Sequence, residues 1–334
     1  MKVCIVGLGA VGGLFAGLLG SQLKPGRIRL SALARGDTLA AVRQHGLVFK
    51  RGDEHHAVPL HAADDAASLG AQDLVIVAVK GPALVSVAPA VRALCDETTQ
   101  VLVAMNGVPW WFFDGLPGPC AGLRLHSVDP GGRLHQLLPT AQVIGGVVHA
   151  SCQVPAPGQV MHVHGQGLVI GRPAGGTDPG LQAIAQTLGE AGFAVTVSER
   201  IQREVWFKLW GNLTFNPISA LTGATGDRIL DDPLVRAFCS AVMVEAQAVG
   251  AAFGIAIEQS PEDRHAVTRK LGAFKTSMLQ DVQAGRPLEI DALVAAVREI
   301  AQHLGIATPN IDALLGLVRL MARERGLYPT ALSA

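Results

Sequence analysis

Residues Met1 to Gly20 read MKVCIVGLGAVGGLFAGLLG, and no other stretch restricts the fold as strongly. Val3, Cys4, Ile5 and Val6 form an apolar run long enough for one buried strand. Gly7, Leu8, Gly9, Ala10, Val11 and Gly12 follow in G-x-G-x-x-G spacing, and Leu14, Phe15, Leu18 and Leu19 then recur at helical intervals. Strand, glycine turn and helix, in that order, are what a dinucleotide site requires. Gly7 permits a sharp turn off the strand, Gly9 keeps side chains away from a pyrophosphate, and Gly12 lets the helix lie close to the sheet. The helix start then offers unpaired N–H groups and a positive dipole end to phosphates.

A chain of 334 residues is long for a single core and suits two domains. Lysine plus arginine and aspartate plus glutamate number 27 each, so no net field points to nucleic acid or an anionic membrane. The 49% apolar fraction is spread through periodic patterns, with no uninterrupted apolar run of about 20 residues, so no membrane-spanning helix is expected. The start runs straight into a strand, which argues against secretion. Five scattered cysteines, Cys4, Cys95, Cys120, Cys152 and Cys239, contain no C-x-x-C pair and fit reduced thiols of a cytoplasmic protein.

Residues 27–34 read as a second strand ending at Arg35-Gly36-Asp37. An acidic residue near this point suits the ribose hydroxyl of NAD, whereas an arginine suits a 2′-phosphate. The residue present is Arg35, whose paired donors fit a phosphate, so NADP is expected over NAD. Asp37 is read as capping a helix over 38–45. Residues 48–61 read as a hairpin or short strands around Arg51-Gly52-Asp53. Strands over 73–79 and 100–104 deliver Lys80 and Asn106-Gly107 at their carboxyl ends, where doubly wound sheets bind ligands. Residues 142–149 and 158–171 read as short strands closing the far edge of the sheet. His162 and His164 share one strand face; without a third ligand they read as hydrogen-bonded strand histidines rather than a metal site. Pro109-Trp110-Trp111-Phe112-Phe113 is a dense aromatic cluster that could line a cleft, pack between domains or cover an interface.

Beyond Ser198 the pattern changes to helical periods alone, over 201–213, 233–253, 261–284, 291–304 and 310–325. The boundary is expected there, with domains 1–198 and 199–334. Lys208, Asn212 and Asn216 stand at i, i+4 and i+8, so they share one helix face among Trp206, Phe207, Leu209, Trp210 and Phe215. Polar residues in such company need partners, because asparagine is a poor helix former without one. Two further polar pieces are Ser277-Met278-Leu279-Gln280-Asp281 and Glu289-Ile290-Asp291.

Taken together, these motifs resemble the 2-dehydropantoate 2-reductase (ketopantoate reductase) family nearly end to end. The landmarks are Gly7 to Gly12, Arg35, Lys80, Asn106-Gly107, the K-x-x-x-N-x-x-x-N-P of Lys208 to Pro217, SMLQD at Ser277 and EID at Glu289. The resemblance implies an amino-terminal Rossmann domain, an all-helical carboxyl-terminal domain and an active site in the cleft between them. It implies reduction of a 2-oxo acid by NADP(H), with Lys208 as the proton donor. By the same resemblance Asn212, Asn216 and Ser277 bind substrate. Lys80, Asn106 and Ser151 contact cofactor, and Glu289 stands near the lysine and the nicotinamide ribose, where its charge would hold Lys208 protonated.

Four places depart from the pantoate-making pattern. Gly226-Asp227 stands where a further asparagine is expected, and Phe274 where another precedes the serine by three. Val294-Ala295 replaces an N-G after EID, and Val108-Pro109-Trp110-Trp111 follows Asn106-Gly107. All lie on or near the substrate side. Reduction of a 2-oxo acid is therefore better supported than ketopantoate as the particular acid, and the leading expectation is ketopantoate reduction in pantothenate synthesis. A D-2-hydroxyacid dehydrogenase acting on another branched or aromatic 2-oxo acid is the alternative, followed by a non-catalytic NADP sensor. The partner expected is a small 2-oxo acid, and the helical half carries apolar surface enough for a homodimer.

Overall fold

The computed structural model describes residues 1–329. Its chain divides into two compact units, one of residues 1–105 with 132–204 and one of residues 106–131 with 205 onward. The sequence suggested one boundary at Ser198; the chain instead changes unit three times. The reason lies in the aromatic run. Trp110, Trp111, Phe112 and Phe113 are all buried, and Phe112 and Phe113 meet Phe253 edge-on with ring centroids 5.9 and 5.4 Å away. Trp206 joins them, 4.8 Å from Phe253. Such a cluster buries several hundred square ångströms of apolar surface, enough to draw the segment into the helical core.

The first unit is built on ten strands: β1 (Lys2–Val6), β2 (Arg29–Leu33), β3 (Leu47–Arg51), β4 (Glu54–Val58), β5 (His61–Ala63), β6 (Leu74–Val77), β7 (Gln100–Val103), β8 (Val143–Gln153), β9 (Gln159–Gly171) and β10 (Ala194–Val197). Their order is β4-β3-β9-β8-β7-β6-β1-β2-β5, with β10 also paired to β9. β1, β2, β5, β6 and β7 run parallel, and β6 is buried along its whole length, as a strand covered on both faces should be.

β8 and β9 correct the expectation of short strands at the far edge. They are the two longest strands and lie inside the sheet, because β9 pairs with β8 over most of its length, with β3 at its start and with β10 at its end. The edge on that side is the hairpin's β4, whose sequence EHHAV exposes Glu54, His55 and Ala57. Short, polar strands make safe edges.

The helix Ala10–Gln22 has buried residues almost all round it. Gly13, Gly17 and Gly20 line one side, and Cβ atoms there would overlap Val160 of β9, Phe49 of β3 and Val58 of β4. This row of bare positions lets the helix settle onto the sheet. It also explains why the helix shows no clear polar face in the sequence.

The second unit holds the helices Gly226–Asp231, Pro233–Ala252, Pro261–Arg269, Ser277–Gln283, Ala296–His303 and Pro309–Glu324, together with most of Ile201–Thr222. Two expectations change. Ile201–Thr222 does not stop at Leu213 but continues through Pro217. The span 261–284 is two helices rather than one: Gly272 has φ +64° in the break, and Thr276 accepts from the Leu279 N–H to cap the second. Pro233–Ala252 is long and apolar enough to cross a membrane by length and composition. Its Cys239, Val242, Met243, Ala246 and Val249 are buried in the unit, and its Glu245 accepts from the Asn310 and Ile311 N–H groups at the start of Pro309–Glu324.

Candidate active site

In the first unit the glycine turn leaves β1 as its spacing suggested. Gly7 has φ +92°, a left-handed conformation that favours glycine, and a Cβ there would lie 2.7 Å from Val79 Cγ1. A Cβ on Gly12 would overlap the Gly7 carbonyl oxygen. Gly9 is exposed, a Cβ there would meet no atom within 4 Å, and it is the N-cap of Ala10–Gln22. That helix has no side-chain cap and no acid in its first turn, so its N–H groups remain available to an anion.

The strand order gathers two cations around this turn. The Gly7 N–H donates to the Leu33 carbonyl of β2, and Arg35, exposed, stands two residues further on. Here one expectation is corrected: the helix begins at Gly36, so Arg35 occupies the N-cap, and Asp37 lies in the first turn without capping it. On the other side of β1, the Ala78 N–H donates to the Val6 carbonyl, and Lys80 is the N-cap of Gly81–Ala93. Connections from β1 thus leave to one side and from β6 to the other, which is the switch point where such sheets bind nucleotides. The residues fit a phosphorylated dinucleotide on three counts: open backbone, a free helix start and flanking cations. Ser151 stands apart. It is exposed in β8 opposite His164, between two register shifts, six residues beyond the Gly145 pairing with β7, or roughly 20 Å along the strand.

His162 bonds the Gly165 carbonyl through its ring. Among the described residues no group of three or more histidine, cysteine, aspartate or glutamate side chains is placed to hold a metal ion.

In the second unit, three of the sequence-marked residues come together from distant parts of the chain. Lys208 Nζ donates to Asn106 Oδ1 at 2.9 Å. Asn106 Nδ2 donates to Glu289 Oε2 at 3.5 Å. Lys208 reaches this point from Ile201–Thr222, Asn106 from the loop after β7, and Glu289 from the turn before the π-helical stretch Asp291–Ala295. The sequence reading gave Asn106 to the cofactor; the structure also makes it the bridge between lysine and glutamate.

Local sequence explains the bridge. Gly107 has φ +82°, and a Cβ there would sit 2.5 Å from the Ala292 carbonyl oxygen. The Val108 N–H donates to that same oxygen at 2.8 Å. The Asn106-Gly107 loop therefore seats directly on the π-helical turn, and only glycine fits there. The turn before Glu289 is anchored on Asp281, a 3% exposed carboxylate. Asp281 Oδ1 accepts from Arg286 Nε at 3.1 Å, and the Asp281 carbonyl accepts from the Arg286 N–H. This closes the turn that leads to Glu289.

Electrostatics at Lys208 follow from burial. Desolvation brings its pKa down to about 8, and the nearby Glu289 charge opposes that fall. The result is an ammonium that is mostly charged at neutral pH yet able to release its proton.

Asn212 and Asn216 continue the Lys208 face as their spacing required, Asn212 half-buried and Asn216 5% exposed. Ser277 is exposed at the first turn of Ser277–Gln283. Two departures noted in the sequence turn out to be one feature: a Cβ on Gly226 would overlap the Phe274 ring, and the Gly226 N–H donates to the Phe274 carbonyl at 3.0 Å. The bare glycine makes room for the phenylalanine. Sequence reasoning missed Asp291 and Tyr328 as a pair. Tyr328 Oη donates to Asp291 Oδ1 at 2.6 Å, and only the EID motif hinted that Asp291 mattered.

Comparison with known proteins finds a matching family and similar folds. The family model "Ketopantoate reductase PanE/ApbA" matches residues 3–110, and its C-terminal counterpart matches residues 200–322. A 2-dehydropantoate 2-reductase from Mesorhizobium japonicum is 43% identical over 98% of this chain and all of its own length. A crystal structure from Ralstonia solanacearum MolK2, which carries the ketopantoate reductase name provisionally, is 57% identical with a TM-score of 0.93, covering 98% of this chain and 99% of its own. A PanE/ApbA family ketopantoate reductase from Ralstonia eutropha is 26% identical with a TM-score of 0.82, covering 98% and 100%.

Proposed function

The chain belongs to the ketopantoate reductase family, and we propose that it reduces 2-dehydropantoate to pantoate, with NADPH as reductant and Lys208 as proton donor. It is an NADP-dependent oxidoreductase acting on a CH–OH group. The observation that carries the reading is the bond from Lys208 Nζ to Asn106 Oδ1 beside the buried Glu289.

NADPH, when bound, supplies the hydride that adds to the carbonyl carbon. The chain's own residues manage the oxygen. The Lys208 ammonium polarises the carbonyl and gives its proton to the oxygen as negative charge develops there, leaving a neutral amine that regains a proton from water. Asn106 accepts a bond from the ammonium and so aims it. Glu289 keeps it charged until transfer. Asn212 and Asn216 are suited to bond the substrate's hydroxyl or carboxylate without adding charge, and Ser277 to bond the carboxylate. Arg35 is assigned to the 2′-phosphate, which its exposed guanidinium beside the glycine turn supports. Lys80 and the Gly7-to-Gly12 turn are assigned to the remaining phosphates.

A second reading has one observation in its favour. Phe274, seated on Gly226 three residues before Ser277, presents an apolar ring where an amide is expected. That suits a branched or aromatic 2-oxo acid lacking a hydroxyl. The deciding experiment follows NADPH oxidation by its near-ultraviolet absorbance with ketopantoate, 2-oxoisovalerate, phenylpyruvate and benzoylformate. A clear kcat/KM preference for ketopantoate supports the proposal; preference for an unhydroxylated or aromatic acid moves the assignment to the second reading.

We place the enzyme in the cytoplasm, a reading that its five unpaired cysteines support. A homodimer is the assembly we favour, since Leu234, Leu317 and Leu320 are large apolar side chains left exposed on two helices of the second unit. A mass near that of one chain by sedimentation would reject it.

A further inference from the structure

The described residues end in a short segment, Leu327–Pro329, that is tied down at three points. The Leu288 N–H donates to the Leu327 carbonyl at 3.1 Å. Tyr328 Oη donates to Asp291 Oδ1 at 2.6 Å. Arg323 Nε donates to the Pro329 carbonyl at 3.2 Å, and the Arg323 guanidinium lies over the Tyr328 ring at 5.7 Å. Two of these ties land on residues 288 and 291, which flank Glu289.

Asp291 starts the π-helical turn, an irregular conformation that is uncommon and needs support from its surroundings. On its other side the same turn offers the Ala292 carbonyl to Val108, the residue that seats the Asn106 loop. Asp291–Ala292 is therefore a node. One side holds Tyr328, and the other seats the loop that carries Asn106, the residue that accepts from Lys208. A tail that served only to finish a helix would have no need of a short hydroxyl-to-carboxylate bond to a largely buried acid.

We propose that Tyr328, the only tyrosine in the chain, is a positioning residue for the proton donor: its hydroxyl fixes Asp291 and through it the Glu289–Asn106–Lys208 chain. The proposal rests on the reading of Lys208 as proton donor. Tyr328 makes no claim on substrate or cofactor. Its action is on the distance between Glu289 and the ammonium.

The charged groups around this node agree with that role. Arg319 and Arg323 stand beside Asp291, and both they and the Tyr328 hydroxyl favour its charged form against a burial that raises its pKa. Burial and the Asp291 charge in turn raise the pKa of the Tyr328 hydroxyl. The bond thus keeps its donor proton across the working range. At Lys208 the facing groups include Asn106 and Glu289.

The test compares Tyr328→Phe, which removes one oxygen, with the wild type. Two readouts are used: the pH profile of kcat/KM for ketopantoate, and the direct titration of Lys208 in protein labelled with ε-13C-lysine, its signal assigned by loss in Lys208→Arg. The expected result is a kcat lower by about tenfold with the KM for NADPH unchanged, and a Lys208 titration displaced downward by about half a unit as Glu289 loosens. Asp291→Asn, which keeps an acceptor for the hydroxyl, should retain most of the activity that Asp291→Ala loses. If Tyr328→Phe fails to fold, that second pair reads the same bond from its other end. A Tyr328→Phe protein that is less stable but keeps the wild-type profile and Lys208 titration would overturn the proposal. A wild type that fails to reduce ketopantoate would overturn the functional reading instead, and the Lys208 titration would still decide the role of Tyr328.

Discussion

Lys208 and Asn106, 102 positions apart in sequence, are joined by a 2.9 Å hydrogen bond from ammonium to amide oxygen. The amide's other end turns to Glu289, so a neutral side chain stands between a cation and an anion. The amide orients the ammonium, and the Glu289 charge favours its protonated form. Burial pulls the lysine down and the glutamate charge pulls it up, with the balance at about 8, close to the range where a general acid works best.

Removing the ammonium should remove the chemistry and spare the binding of cofactor. Lys208→Ala is expected to cut kcat by about 100-fold or more, while NADPH affinity measured by fluorescence stays within a few-fold of wild type. Near-normal turnover in this variant would take the proton-donor role away from Lys208.

Cofactor choice is expected to follow the exposed Arg35 at the end of β2. Arg35→Asp exchanges a donor fork for an acceptor suited to ribose hydroxyls, so the ratio of kcat/KM for NADPH over NADH should fall by at least about tenfold. An unchanged ratio would mean that another residue reads the 2′-phosphate.

The Gly226–Phe274 pair makes a prediction that single substitutions alone would hide. Gly226→Ala forces a methyl into the Phe274 ring and should cost about 1–3 kcal/mol of stability. In a Phe274→Ala background the same change should be nearly neutral. Thermal unfolding of the four proteins measures the coupling. Equal costs in both backgrounds would show that the ring is not what Gly226 makes room for.

Much of this protein is legible before any coordinate is seen, for reasons of local chemistry. Glycine spacing after an apolar strand has one good structural reading, and the positive φ at Gly7 and the crowding at Gly12 are what that reading demands. The Lys208, Asn212, Asn216 face follows from helical geometry, and it holds because Ile201–Thr222 continues through Pro217. What stayed hidden depends on contacts between distant residues. The aromatic run at 110–113 matches many kinds of apolar neighbour, so nothing local sends it to the helical unit with Phe253 and Trp206. β8 and β9 read as edge strands because strand order is not written in strand composition. The bridging role of Asn106 needs Gly107 to dock on Ala292, and the Tyr328–Asp291 bond joins residues 37 positions apart; each depends on a residue, Ala292 or Tyr328, that no motif names.

The most direct test of the central claim is the pH dependence of kcat/KM for ketopantoate reduction, measured for the wild type and for Glu289→Gln. In the direction of reduction Lys208 must start protonated, so activity should be full below its pKa and fall as pH rises through about 8. Glu289 raises that pKa, so the neutral glutamine should move the falling limb to lower pH. A wild-type limb near 8 that shifts downward in Glu289→Gln is the predicted result. A rate that stays level through pH 10, or a limb that Glu289→Gln leaves in place, would contradict the account of Lys208 as a proton donor governed by Glu289.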